Sequence, residues 1–92
     1  MKTKPWDPAD HLNDVDAIAA YLDAAMEDGD PSLIAAALGD VARARGMTQL
    51  ARDTGLTREA LYRALSADGN PEFATVLKVV KGLGLRLSIA AE

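Results

Sequence analysis

The residues best equipped for chemistry stand close together in the stretch QLARDTGLTREALYRAL, residues 49–65. Arg58, Glu59, Tyr62 and Arg63 follow Thr57 there. An arginine bonds guanine O6 and N7 bidentately or clamps a phosphate, and a carboxylate accepts from cytosine N4. A tyrosine donates to a phosphate or packs on a thymine methyl. Thr57 is a candidate N-cap, and helical spacing beyond it turns Leu61 and Leu65 inward and leaves the four polar residues on the outer face. Such a face is what a recognition helix presents to the major groove. Thr48 and Gln49 open a short helix upstream, where they and its first amides are placed to touch a nucleic-acid backbone.

Other chemistry is scarce. The chain has no cysteine, which excludes disulfides, thiol nucleophiles and Cys-ligated metals, and one histidine, His11, which excludes a multi-His site. His11 lies near Asp7, Asp10 and Asp14, but in an irregular stretch without fixed ligand spacing, so neither a metal nor a cofactor is expected. The acids near the N-terminus read as a solvated helix face rather than a catalytic pair, and no nucleophile, base and orienter assemble. The chain is not expected to be an enzyme.

The elements that position the polar face follow from pattern. Ninety-two residues make one domain, and 18 alanines with 4% aromatics favour helices over sheet. Residues 1–13, with Pro5, Pro8 and the single Trp6, read as an extended arm; Trp6 is either a packing anchor or a partner-binding aromatic. After Asn13 as N-cap, Val15, Ile18, Leu22 and Met26 form one helical stripe ending near Gly29. Asp30-Pro31 opens a second helix with Leu33, Ile34, Ala37, Leu38, Val41 and Ala42 as its apolar face, closed by Gly46. Two short helices capped by Thr48 and Thr57 flank Thr54-Gly55-Leu56. Asn70-Pro71-Glu72 opens a fifth, with Phe73, Val76, Leu77 and Val80 on one side and a stop at Gly82 or Gly84. Leu85 to Ile89 alternate apolar and polar, a strand period.

The net charge of −4 conceals a division. Residues 1–40 carry two lysines against nine acids, a net −7, whereas residues 41–92 carry eight bases against five acids, a net +3. The two halves are expected to face different partners. No apolar run reaches the ~18 residues of a spanning helix and the N-terminus lacks a signal-peptide core, so a cytoplasmic protein without membrane contact is expected.

Residues 49–65 resemble a helix-turn-helix of the Cro/C1 repressor type. Ala51 is small where the two helices cross, Gly55 permits the turn, Leu56 and Leu61 fill the space between, and Thr57 caps the second helix. A glycine turn between short helices also occurs in ordinary helical hairpins, but the charge division and the order of five helices favour DNA binding. Two features depart from the repressor pattern: the first short helix is abbreviated, and Ala64 stands where a larger apolar residue is usual, leaving Leu65 to pack.

Residues 46–88, with the preceding acidic helix and the GDP step at 29–31, resemble the HigA-like addiction-module antidotes, antitoxins of type II toxin–antitoxin pairs. The resemblance implies an all-α, five-helix lambda-repressor-like domain over residues 14–92, here with a short C-terminal β-strand. It implies binding to double-stranded operator DNA, repression of the chain's own operon and neutralisation of a RelE/ParE-class toxin. DNA contacts carry over to Thr57, Arg58, Glu59, Tyr62 and Arg63. The alternatives are a stand-alone Cro/C1-type repressor and a helical interaction module that uses its acidic half. Because a single strand leaves its edge unpaired, Leu85, Leu87 and Ile89 are expected to pair with a second copy in a homodimer, the N-terminal arm or a toxin sheet being the other possible partners.

Overall fold

Local signals set most of the helix boundaries. In the computed structural model, which describes residues 14–91, the order is α1 Val15–Asp28, α2 Pro31–Arg45, α3 Met47–Thr54, α4 Arg58–Ala64 and α5 Phe73–Gly82. The expected arm at 1–13, with Trp6 and His11, lies outside the described residues. Asp14, rather than Asn13, caps α1, its carboxylate accepting from the Ala17 amide at 2.7 Å. Asp30 caps α2 by accepting from Ser32, with Pro31 in the first turn as expected. The cap of helix α3 lies two residues earlier than expected, at Gly46 before Met47, so Thr48 sits inside the helix and does not cap it. At α5 the cap position belongs to Glu72, not Asn70, and among the described residues no side chain makes a capping bond there.

One core joins all five helices. Leu38 and Val41 of α2, Leu50 of α3, Leu61 of α4, Val79 of α5 and Leu83 just beyond it are fully buried. Helix α1 adds Ile18, Leu22 and Ala25 and packs principally against α2, while α3 sits among α2, α4 and α5. Tyr21 ties α1 to α2: its hydroxyl donates to Asp40 Oδ2 at 2.6 Å, and Arg43 donates to the other carboxylate oxygen at 2.7 Å. Three expected faces are corrected. Val15 and Met26 of α1 and Leu33 of α2 are exposed, and on α5 the core takes Val76, Val79 and Val80 while Phe73, 68% exposed, and Leu77 face outward.

The expected C-terminal strand is not formed; among the described residues there is none. A strand is a pairing between two segments, and here the chain after α5 spends its first backbone groups closing the helix. Gly84, in the left-handed region at φ 82°, donates to Lys81 O at 3.0 Å, and Leu85 donates to Val80 O at 3.1 Å. These two bonds make a Schellman motif. Leu85 is thereby half-buried against the core, and residues 86–91 make no backbone hydrogen bond among the described residues.

Candidate nucleic-acid interface

Helices α3 and α4 meet through a tight turn whose geometry follows from its residues. Gly55 leaves α3 at φ 75°, a conformation that costs a residue with a Cβ, and donates to Ala51 O at 2.9 Å. Thr54 Oγ1 donates to Leu50 O at 2.8 Å and accepts from the Leu56 amide at 3.3 Å, fixing the chain on both sides of the glycine. Thr57 then starts α4 with its hydroxyl accepting from the Ala60 amide at 3.0 Å, as its sequence position predicts. Leu61 is fully buried and Leu65 nearly so, and Leu56, Ala51 and Ala64 pack against the core at its margin. The short α3 still completes two turns, eight residues, and Leu65 supplies the packing that Ala64 does not.

With α4 anchored from below, its outer side is left to polar side chains. Thr57, Arg58, Glu59, Tyr62 and Arg63 are all exposed, on one short helix and its cap. Arg58 and Arg63 enter no ion pair among the described residues. Their guanidinium groups are open to the surroundings, with Glu59 exposed on the same helix. Thr48 and Gln49 are exposed in the first turn of α3. The Gln49 amide donates to Asp53 Oδ1 at 2.9 Å, one turn along the same helix, so Gln49 is held by a residue the sequence reading had not singled out. Leu85, Leu87 and Ile89 lie apart from this group in the tail, half-buried, 40% exposed and fully exposed in turn.

A further residue positions α4 without belonging to its surface. Gly39, in the middle of α2, is buried, and a Cβ there would collide with the carbonyl oxygen of Leu65 at the end of α4. The helix end rests directly on the α2 backbone. Nothing in the pattern around Gly39 signals this, because a glycine in a helix reads only as a weak point until the neighbouring backbone is known.

Part of the acidic charge of the chain's first half is carried by α1. Asp16, Asp23, Glu27 and Asp28 are exposed on α1, which has no basic residue. No helix among the described residues is long and apolar enough to cross a membrane.

Comparison with known proteins extends over nearly the whole chain. An uncharacterized protein of Haemophilus influenzae is 50% identical over 86 residues, which cover 94% of this chain and 89% of that protein. No solved structure matches the chain. Residues 2–91 match the family described as "probable addiction module antidote protein". The chain that carries this arginine-bearing helix and this acidic one belongs to that family of addiction module antidotes, whose members imply a cognate toxin as partner.

Proposed function

We propose that this antidote neutralises a small basic toxin of the RelE/ParE class and represses its own operon by laying α4 in the major groove of the operator. The observation that carries the DNA half is the pair Arg58 and Arg63, exposed and without ion pairs among the described residues, on a helix whose opposite side is locked into the core by Leu61. In this reading Arg58, Glu59, Tyr62 and Arg63 meet base edges and phosphates, and Thr48, Gln49 and Thr57 meet the backbone. One arginine reads a guanine and the other holds a phosphate. The protein acts on DNA as a homodimer and needs no cofactor or catalytic group. Its antitoxin action belongs to binding, not to turnover.

The test is a gel shift of the full chain on its own promoter region against an unrelated duplex of equal length. Retention of the promoter at concentrations at least about a thousandfold below those needed for the control fits a specific repressor. Equal retention of both, or of neither, removes the operator function. A helical interaction module is the second reading, favoured by the exposed acids of α1, and it would leave toxin binding as the sole activity.

A further inference from the structure

A groove lies on the molecule between α1 and the tail that follows α5. Leu22, Asp23 and Met26 of α1 form one side, Val80 the base, and Leu85, Arg86 and Leu87 the other side. Its volume of about 530 Å³ falls in the size range of sites that accept ligands or anchoring side chains. The apolar character of the groove comes from both segments, since Met26 and Leu87 remain substantially exposed beside it.

Two observations define the occupant. The tail has a strand's alternation, Leu85, Leu87 and Ile89 against Arg86 and Ser88, yet residues 86–91 make no backbone hydrogen bond among the described residues. Open N–H and C=O groups with period two are the template on which an extended segment adds as a strand. The second observation is charge. Asp23 of α1 and Arg86 of the tail line the groove, and Asp16, Glu27 and Asp28 also stand exposed on α1, which has no basic residue, so the acids outnumber the single arginine on this side of the molecule. A second copy docked about a two-fold through the groove would set one α1 beside the other, a like-charge approach that one Arg86 per copy does not offset, whereas a basic partner is attracted.

We infer that the groove between α1 and the tail is the docking site for the toxin, accepting an extended edge segment of a basic protein. Alternate apolar side chains of that segment rest on Leu22, Met26 and Val80. Lysine or arginine residues beside them face Asp23 and Glu27. The inference rests on the antidote reading for the existence of the toxin, and adds where and in what conformation it is bound.

The test measures binding of the full chain to the purified product of the adjacent reading frame by calorimetry, with operator binding, sedimentation and thermal melting followed in parallel. Successive N–H groups of an extended chain point to opposite sides, so Leu87→Pro and Ser88→Pro remove bonding groups from opposite edges of the tail. One of the two weakens toxin binding about tenfold or more while the other stays within about twofold of the parent. Met26→Asp also weakens it by about tenfold, and all three variants melt as the parent does. Unchanged toxin binding in all variants overturns the inference while leaving the antidote reading intact. Equal losses in both proline variants overturn the strand addition. Dissociation of a parent dimer by Leu87→Pro assigns the groove to a second copy, and a lowered Tm of the free chain assigns it to the chain's own segment; either result overturns the toxin assignment. A parent chain that does not bind the product at all removes the antidote reading and the inference together.

Discussion

Under the proposed operator reading, Arg58 and Arg63 are expected to do separable work on DNA, and their individual loss distinguishes the roles. Replacing the base-reading arginine by alanine costs about 1–3 kcal/mol and relaxes one base position. Replacing the phosphate-holding one weakens all sequences alike and lowers the salt slope by about one unit. Fluorescence anisotropy with operator variants across a salt series measures both, and operator binding as tight as the parent's in both variants would show that α4 is not the recognition helix. These residues were legible in the sequence because Thr57 marks the helix start and Leu61 and Leu65 mark its inner side, which fixes the outer side by elimination. Asp53 was not, because its bond to Gln49 depends on the rotamers of two exposed side chains on α3.

At the scale of elements, α4 depends on a cap at one end and a glycine beneath the other. Thr57→Ala removes the bond to the Ala60 amide and is expected to destabilise the chain by about 0.5–2 kcal/mol. Gly39→Ala inserts a Cβ against the Leu65 carbonyl and is expected to cost about 1–3 kcal/mol, because backbone rather than a flexible side chain must move. Thermal unfolding followed by circular dichroism reads both, each kcal/mol lowering Tm by roughly 4–8 °C in a domain of this size. Under the operator reading, Gly39→Ala is expected to have a second consequence, pushing the end of α4 and weakening operator binding beyond its effect on Tm, whereas an alanine elsewhere on the exposed side of α2 is expected to do neither. The cap at Thr57 was visible as a residue type in a fixed place. The face of α5 was not, because FATVLKVV offers two overlapping apolar stripes, and the position of α3 selects Val76, Val79 and Val80 over Phe73 and Leu77.

At the scale of the whole molecule, α1 carries acids and no base, while α4 carries Arg58 and Arg63 with a single acid, Glu59. The principal neighbour of α1 is α2, joined by Tyr21 and Asp40, while that of α4 is α3. Charge on one can therefore be altered with little effect on the other. Reversing Asp16, Asp23 and Glu27 to lysine is expected to slow toxin association by about tenfold or more at low salt, to flatten its dependence on ionic strength and to leave operator affinity no weaker. Stopped-flow association at several salt concentrations reads this, and unchanged rates would reduce the acidic face to a solvated surface. Two copies of α4 on DNA predict an inverted repeat with half-site centres roughly 10 base pairs apart, or a multiple of that spacing. Footprinting of the promoter checks the spacing, and protection of one isolated half-site would contradict a dimer.

Local sequence determined five helices, the turn at Gly55, the caps at Asp30 and Thr57 and the polar composition of α4, since each depends on residues within one or two turns of one another. Tertiary structure decided the rest. Whether residues 85–89 become a strand depends on a second segment to pair with, and within this chain Leu85 instead completes the closure of α5. The need for Gly39 depends on the end of a helix 26 residues away in sequence reaching its backbone. The groove beside α1 exists only because the tail returns past Leu22 and Met26, a relation between distant segments that no periodicity within either of them encodes.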